Sequence, residues 1–421
     1  MELACAEFRE RISILRMTIV IRATFVAAFA AAVFLAASAS GPFGFVAAQS
    51  GNLAGGPNAT SAATSSATWH FAVAGDSRNC GDVVMPAIAT DAKARGARFF
   101  WHLGDFRAVY AIDEDFLDTH PAPAEFASAE ENAKYMDLYR SLAWEDFIAN
   151  QLNPFGNLDL RVFLAIGNHE LDPANHRTRA EYIAAFRKWL TWPEIAHKPK
   201  PASAPGDAPE DEVFPYYHWM MNGIDFITLD NASNEQFSAT QLQWFEKVLE
   251  QDAQDPGVGT IVVGMHKPLP GSLSEDHSMS ESPDVGVPSG RRVYRDLLNA
   301  QNVFHKKVYV VASHSHYYMD NVFNTDYWKD NVLPGWIVGT AGAQRYELPP
   351  SAKFSHDAIQ GMYGYLLATV NPGMATGSAT NGSIQFEFEM LHRKDLHDAA
   401  GKKFSREVID RCFDQNKRIP F

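Results

Sequence analysis

The sequence predicts an α/β fold in which two mixed β-sheets pack face to face as a sandwich, with helices on the outer faces. Three observations predict it. Short, continuously apolar segments recur along the chain, as in strands that are buried on both faces. Helix-like patterns separate these segments, and most of the segments are followed by a small residue. The 421 residues, 46% hydrophobic and 20% charged, allow a single domain with one large core and long insertions.

The individual elements are predicted from their local patterns. The apolar segments predicted to be strands are residues 69–74, 97–103, 161–166, 224–229, 260–263, 307–312 and 336–338. A helix is predicted at 83–95, and Met221-Asn222-Gly223-Ile224 predicts a hairpin turn between two strands. Strict alternation predicts a half-exposed strand at 384–390. The predicted insertions are residues 106–160, with a helical region at 127–152, and residues 193–215 and 269–290.

The N-terminal segment predicts export. Arginines precede an uncharged apolar run at residues 23–39. Ala37-Ser38-Ala39 fits a small-residue cleavage site, and Ala48, after Val46-Ala47, is a second candidate end. Residues 1–48 are therefore predicted to be a signal peptide or, if they stay uncleaved, an N-terminal membrane anchor. Residues 49–68 are rich in small residues and are predicted to be a flexible linker. The protein is expected to be secreted or periplasmic, with membrane contact only through an uncleaved N-terminus.

Charge and cysteine content limit the function classes. A net charge of −14 disfavours a broad basic surface, so no nucleic-acid-binding surface is predicted. The three cysteines, Cys5, Cys80 and Cys412, form neither a zinc-ribbon pattern nor a disulfide scaffold. In an oxidising compartment Cys80 and Cys412 could pair, and two unpaired thiols are the alternative. No pattern predicts an oligomeric state.

Polar side chains follow the predicted strands at the points where the strands end. They are Asp76, Asp105, Asn168-His169-Glu170, His266, and the pair His314 and His316. Ligands of α/β proteins gather beyond the carboxyl ends of strands, so these side chains are expected to meet at one edge. Mixed carboxylate, amide and imidazole donors favour Zn, Mn or Fe over Ca or Mg.

This ordered set resembles the calcineurin-like metallophosphoesterases, which include the purple acid phosphatases. The resemblance runs from about Val73 to His316: an Asp motif, a Gly-Asp motif, Gly-Asn-His followed by an acid, a lone His, and a His pair. It implies that residues 69–421 form a metallophosphoesterase domain. It also implies hydrolysis of a phosphomonoester or phosphodiester by two divalent or mixed-valence transition metals that share a bridging hydroxide.

The resemblance also implies a role for each residue. Asp76 and His316 would bind the first metal, and Asp105 would bridge the two. The ligands of the second metal would be Asn168, His266 and His314. His169 would act as general acid or transition-state stabiliser for the leaving group, and Glu170 would orient it.

Two departures from the family pattern leave alternatives open. Arg78 stands where many members have a histidine ligand, so it is predicted to bind substrate phosphate, with a structural salt bridge as the alternative. Purple acid phosphatases have a ligating Tyr where this chain has Ala108. Tyr110 is the nearest, as a ligand or as a packed aromatic. The first site is therefore short of ligands, and a one-metal or metal-free, catalytically weak binding protein is the alternative function.

Overall fold

The computed structural model describes residues 68–123, 126–172, 178–195, 213–233, 236–350, 352, 358–371 and 382–414. The segments predicted as signal or anchor (1–48) and as linker (49–68) lie outside the described residues, apart from residue 68. Most of the predicted insertion at 193–215 lies outside them as well.

Twelve strands form the framework of the described residues. They are β1 (Trp69–Ala74), β2 (Ala97–His102), β3 (Arg161–Leu164), β4 (Tyr217–Met221), β5 (Ile224–Thr228), β6 (Thr260–Gly264), β7 (Lys307–Ala312), β8 (Tyr318–Asp320), β9 (Gly335–Val338), β10 (Ala358–Ile359), β11 (Gly364–Val370) and β12 (Ile384–Met390). One sheet has five strands in the order β12-β11-β1-β2-β3, and the other has seven in the order β10-β8-β9-β7-β6-β5-β4. Strands β1, β2 and β3 run parallel, as do β5, β6, β7 and β9, while β4, β8, β10, β11 and β12 pair antiparallel with their neighbours.

Helices cover the outer faces. The α-helices are α1 (Gly81–Ala94), α2 (Glu114–Thr119), α3 (Ala129–Phe147), α4 (Asn153–Asn157), α5 (Arg179–Leu190), α6 (Ala239–Gln254), α7 (Gly286–Asn302), α8 (Arg393–Ala400) and α9 (Arg406–Asp414). A π-turn, Ile148–Leu152, continues α3, and short 3-10 turns lie at Asn168–Glu170, Glu275–His277 and Met279–Glu281. Among the described residues, the helices are too short or too polar to cross a membrane.

Aromatic side chains fill the space between the two sheets. Phe99 of the first sheet packs edge-on against Phe226 of the second, with ring centroids 5.2 Å apart. Phe163 stacks on Trp219 at 3.9 Å. Burial of such large rings contributes about 1.5–3 kcal/mol each and fixes how the sheets face one another. The outer face of the seven-stranded sheet packs against α6 and α7 through a second apolar cluster that includes Phe245.

The predicted fold class is confirmed: the structure has two mixed sheets with helices outside. The predicted strand bounds differ from the observed bounds by at most two residues at either end. The helix predicted at 83–95 is α1, and the predicted hairpin joins β4 to β5 with Asn222 in the left-handed region at φ 51°. Strands β8, β10 and β11 were not predicted, and of the helices only α1 and the helical region at 127–152, which is α3 with the turn that continues it, were predicted individually.

Candidate metal centre

The predicted site residues lie in loops at the carboxyl ends of neighbouring strands. Asp76 follows β1, Asp105 follows β2, and Asn168 begins the turn after β3, all in the five-stranded sheet. His266 follows β6 and His314 follows β7, which are adjacent in the other sheet. Backbone hydrogen bonds join these loops within and between the sheets, since Asp76 N donates to Gly104 O at 2.9 Å and Ala343 N, which follows β9 of the other sheet, donates to Asp76 O at 2.8 Å. The site therefore lies at one edge of the sandwich, with both sheets contributing.

Three of these residues have left-handed backbone conformations. Asp76, Asp105 and His314 have φ values of 59°, 57° and 66°. This region costs a non-glycine residue roughly 1 kcal/mol or more, and such residues cluster at functional sites. Gly167 packs closely against Asp105: a Cβ added at Gly167 would lie 2.1 Å from Asp105 Oδ1. The loops are thus folded tightly around the Asp105 carboxylate.

The residues predicted to bind the second metal lie close together around His266. Its Nε2 atom lies 3.0 Å from Asn168 Oδ1, 3.0 Å from His314 Nδ1 and 3.2 Å from Asp105 Oδ2. Ligand atoms of Asp105, His266 and His314 all lie within 4.8 Å of one another. The His266 ring is fixed from behind, because its Nδ1 atom lies 3.0 Å from Leu103 O. The four side chains form a compact set of oxygen and nitrogen donors.

The residues predicted to bind the first metal form a smaller group. Asp76 Oδ1 lies 3.2 Å from His316 Nε2. The other carboxylate oxygen of Asp76 accepts a hydrogen bond from His314 N at 2.6 Å, and His316 Nδ1 lies 2.5 Å from Gln344 O. The Nδ1–H of His316 therefore donates to a carbonyl, which leaves Nε2 as the acceptor that a metal ligand needs. This group offers fewer donors than the second.

The donor chemistry fits cations. Asp76 Oδ1 and Asp105 Oδ2 are buried and accept no hydrogen bond from the described residues. An unpaired buried carboxylate oxygen is costly, and a coordinated cation would remove that cost. Each of the two oxygens faces an imidazole nitrogen, which is how two ligands of one ion lie. The residues present thus fit bound metal ions.

The pKa shifts of the site residues also favour a bound cation. Burial would raise the pKa of Asp105, but the His169 and His266 imidazoles and Arg78 hold it well below its usual range. Burial would lower the pKa of His266, yet the Asp105 carboxylate raises it to about 9. The site therefore stabilises extra positive charge beside Asp105.

His169 lies beside this group and is held by two neighbours. Arg78 Nη1 lies 2.6 Å from His169 Nδ1, and the Tyr110 hydroxyl also contacts Nδ1. The Tyr110 ring stacks on the imidazole at 5.1 Å. His169 Nε2 lies 3.6 Å from Asp105 Oδ2. Burial and the Arg78 charge hold the pKa of His169 well below its ordinary value, so the ring is neutral.

Glu170 contacts the loop backbone. Its buried carboxylate accepts hydrogen bonds from the N–H groups of Gly167, Asp105, Phe106 and Arg107 at 2.7, 2.9, 2.8 and 3.2 Å. In the described part of the chain its hydrogen bonds do not reach the His169 ring, and the orientation of that ring by Glu170 stays a prediction. The short turn points the carboxylate at the orphan N–H groups of the neighbouring loop.

A polar network behind the site was missed from the sequence. Ser77 Oγ lies 2.9 Å from His102 Nε2 and donates to Gln151 Oε1 at 2.6 Å. Gln151 then donates to Asp82, which pairs with the fully buried Arg107 at 2.7 Å. The partners of these side chains come from separate parts of the chain, so no local motif indicates them.

Two residues at the rim were also missed. Tyr346 stacks on His316 at 4.0 Å, and His277 stacks on Tyr346 at 5.2 Å. His277 belongs to the predicted insertion at 269–290, whose Ser- and Pro-rich composition indicates only a loop. The rim therefore includes side chains that the strand-end pattern does not reach.

Comparison with known proteins places these features in a family. A family model described as calcineurin-like phosphoesterase matches residues 81–318, more than half of the chain. The matched range contains the candidate residues from Asp105 to His316, while Asp76 and Arg78 lie just before it.

Solved structures resemble this chain at low identity. A purple acid phosphatase from yellow lupin (Lupinus luteus) seeds is 14% identical with a TM-score of 0.47, over 85% of this chain and 57% of that one. GAP50, described as the anchor in the inner membrane complex of Plasmodium, is 12% identical with a TM-score of 0.43, over 77% and 84%. A dimetal phosphatase from Danio rerio is 10% identical with a TM-score of 0.42, over 77% and 98%. No curated protein matches the sequence significantly. The family model, which spans more than half of the chain, shows that this protein belongs to the calcineurin-like phosphoesterase family.

Proposed function

We propose that this protein hydrolyses phosphomonoesters or phosphodiesters at a dinuclear metal centre bridged by Asp105. The observation that carries the proposal is the position of the Asp105 carboxylate. It is buried, its Oδ2 atom accepts no hydrogen bond from the described residues, and that atom lies 3.2 Å from His266 Nε2. The loop that carries it is hydrogen-bonded to the Asp76 loop, since Ser77 N donates to Asp105 O at 2.9 Å.

Two donor sets would hold the metals. Asp76, His316 and Asp105 would hold the first, and Asp105 with Asn168, His266 and His314 would hold the second. Oxygen and imidazole donors suit Zn, Mn or Fe. Such a pair of cations supplies charge neutralisation for the ester and lowers the pKa of a shared water.

His169 would then assist the leaving group as a hydrogen-bond donor. The Arg78 guanidinium has only donors, so the Nδ1 atom that it contacts at 2.6 Å must be the acceptor. A neutral imidazole with Nδ1 as acceptor carries its proton on Nε2. His169 therefore presents an Nε2–H, on the side of the ring that faces Asp105, to a developing negative charge.

Arg78 is proposed to contact the substrate phosphate as well. The hydrogen bond to His169 uses one of its five N–H donors. A guanidinium matches two phosphate oxygens at once, so the same side chain can fix His169 and an ester oxygen.

A one-metal or metal-free binding protein is the second candidate, and one observation favours it. Arg78 replaces a histidine of the family pattern, and the Tyr110 hydroxyl lies on His169. The first donor set therefore comprises Asp76, His316 and the shared Asp105, which is fewer donors than the second set has. A poorly occupied first site would favour the binding protein.

Metal content per chain separates the two candidates. We expect two metals per chain in the purified protein and metal-dependent hydrolysis of aryl phosphates. Asp76→Asn should lose one metal and Asp105→Asn both, because only Asp105 serves both sets. His305→Asn, which removes an exposed imidazole at the opposite end of β7 from His314, is the control. One metal or none, with no turnover after addition of Zn, Mn or Fe, would establish the binding protein instead.

We also propose that the protein is exported. Cys80 and Cys412 form a disulfide, and stable disulfides are typical of oxidising compartments. The alternative of two unpaired thiols, left open by the sequence, does not apply to this structure.

A further inference from the structure

We propose that His102 is a positioning residue of the metal centre, which holds the loop that carries Asp76 and the loop that carries Asp105 in the conformations that bind metal. The imidazole is the last residue of β2, is fully buried, and lies outside both donor sets, so it acts through its neighbours. The inference rests on the proposed function, because it concerns the same two metals.

One ring nitrogen supports the turn that carries Asp105. Gly104 N donates a hydrogen bond to His102 Nδ1 at 3.1 Å. Gly104 and Asp105 have φ values of 93° and 57°, so two successive residues adopt left-handed conformations. Such a conformation of a non-glycine residue persists only where the surrounding contacts enforce it. The imidazole is therefore one of the contacts that hold this turn.

The other ring nitrogen contacts the turn that carries Asp76. Ser77 directly follows Asp76, which has a φ value of 59°, and Ser77 Oγ lies 2.9 Å from His102 Nε2. A backbone N–H can only donate, so the Nδ1 atom that contacts Gly104 is an acceptor and the proton of the neutral ring lies on Nε2. His102 Nε2–H therefore donates to Ser77 Oγ, and one ring joins the two strained turns.

The hydrogen bonds on the far side of Ser77 require the same direction. Gln151 Nε2 lies 2.9 Å from Asp82 Oδ1 and 3.3 Å from Ser77 O, which are both acceptors. Gln151 Oε1 therefore faces Ser77 Oγ at 2.6 Å and accepts the hydroxyl proton. Ser77 Oγ is left to accept from His102. Burial lowers the pKa of His102 to about 3, and the neutral ring is the form that this arrangement needs.

The two donor sets depend on this connection to different degrees. Backbone hydrogen bonds also join the loops, since Asp76 N donates to Gly104 O at 2.9 Å, but the N–H of Gly104 itself donates to the imidazole. The first donor set takes Asp76 and Asp105 from the two loops that His102 joins, whereas the second set takes only Asp105 from them. Loss of the imidazole should therefore weaken binding of the first metal more than binding of the second.

The test measures Mn²⁺ binding by the purified chain. Calorimetric titration gives the number and the affinity of bound ions, and the ion that Asp76→Asn loses is the first metal. We expect His102→Phe to weaken binding of that ion by about 10- to 100-fold, the range typical of residues that orient metal ligands. Electron paramagnetic resonance should also show a changed magnetic coupling between two bound Mn²⁺ ions, because the coupling depends on their separation.

The matched control is His70→Phe in the neighbouring strand β1. His70 also forms a side-chain hydrogen bond, with Nδ1 3.1 Å from Thr369 Oγ1, but it lies at the amino end of β1, whereas the metal centre lies beyond the carboxyl end. This variant should keep both Mn²⁺ affinities and the coupling. If His102→Phe lowers the Tm while both affinities and the coupling stay at the wild-type values, His102 is merely structural and the proposal is overturned.

A second variant tests the route through Ser77. Ser77→Ala removes the hydroxyl without adding bulk, so it serves even if His102→Phe does not fold. It should weaken the first metal in the same direction, and the double variant should bind that ion within about twofold of His102→Phe alone, because both changes break one connection. Wild-type binding of both ions in Ser77→Ala would overturn the route from the imidazole to the Asp76 loop.

The outcomes separate this inference from the proposed function. Two ions per chain with the expected loss in His102→Phe, but without hydrolysis of aryl phosphates, would support His102 and overturn the proposed function alone. One ion per chain would overturn the dinuclear centre, and His102 would still be supported if its variant weakens that ion while His70→Phe does not. Hydrolysis with two ions that His102→Phe binds as tightly as the wild type would overturn the role of His102 alone.

Discussion

At the residue scale, the tautomer of His169 depends on a neighbour that the family pattern does not include. Arg78 stands where a metal-binding histidine is common, and its guanidinium contacts His169 Nδ1 at 2.6 Å. In the proposed mechanism, this position therefore supports the leaving-group histidine and contributes no ligand to the first metal. A positive charge next to a buried imidazole also keeps that ring neutral.

His169→Ala should lower kcat for aryl phosphates by about 10²- to 10⁴-fold, the range that positioned proton donors contribute. Metal content should stay at the wild-type value, because His169 is outside both donor sets. Steady-state kinetics and metal analysis of the same preparation check both parts. A kcat within about twofold of wild type would remove His169 from the mechanism.

The sequence predicted which side chains meet, and it predicted less about how they contact. Asp76, Asp105 and His266 were expected at one edge because each follows a strand, and backbone connectivity alone brings them there. The contacts of Glu170 were not predictable, because the direction of its carboxylate depends on the fold of a loop 64 residues away in sequence. The strand-end pattern thus predicts where a side chain lies, whereas the direction of that side chain depends on tertiary packing.

At the element scale, the loop that carries Asp76 and Arg78 is held at its far end by a disulfide. Cys80 immediately precedes α1, and its partner Cys412 belongs to α9. The C-terminal helices α8 and α9 were not predicted, although α8 packs directly on α1. Their residues are mostly polar. The few apolar residues of such a short helix do not form a recognisable pattern in the sequence, so the helix is identified only from the element that it packs on.

Replacing both cysteines by serine should lower the free energy of unfolding by about 2–5 kcal/mol, because the link constrains a long loop of the unfolded chain. The double variant avoids a free thiol. Thermal unfolding should show a lower Tm than that of the oxidised wild type, and a reductant should lower Tm in the wild type only. Equal Tm values for variant and wild type would show that the link contributes nothing measurable.

The strands that the sequence missed differ in kind. Strand β8 has three residues and β10 has two, which is too short for any alternation to be visible. Strand β11, Gly364–Val370, is a continuous apolar run that matches the pattern of the predicted strands. It lies between β1 and β12, so without it β12 would have no neighbouring strand in the five-stranded sheet.

At the scale of the whole molecule, the seven-stranded sheet and α6 enclose titratable groups near the amino end of β5, whereas the metal centre lies beyond the carboxyl ends of the strands. His218 of β4 lies 2.8 Å from Asp225 of β5 through Nδ1 and Oδ2. Asp252 of α6 faces this pair, and burial, with the Asp225 charge added, raises the pKa of Asp252 to about 9. The helix thus packs on the sheet with a protonated carboxyl group.

This arrangement predicts a stability that falls as pH rises. The folded pKa of Asp252 lies above the unfolded value of about 3.9, so its contribution is complete at low pH and is lost as pH rises through about 9. Asp252→Asn keeps a neutral donor at every pH and should reduce the loss of unfolding free energy between pH 6 and pH 9.

Urea unfolding at several pH values measures this difference. Glu250→Gln, an exposed position two residues earlier on α6, is the matched control and should keep the wild-type slope. If Asp252→Asn shows the same slope as the wild type, Asp252 is ionised in the folded protein.

The pairing of Cys80 with Cys412 has a consequence for the order of events in biosynthesis. The two residues are separated by 332 positions, so the bond cannot close until the ribosome has added nearly the whole chain. Until then, Cys80 stands as a thiol four residues from Asp76, where newly delivered metal ions would meet it. Thiolates bind Zn strongly, so metal loading before oxidation could place the ion on the wrong ligand. A chain that folds and oxidises first, and takes up its metals afterwards, avoids this competition.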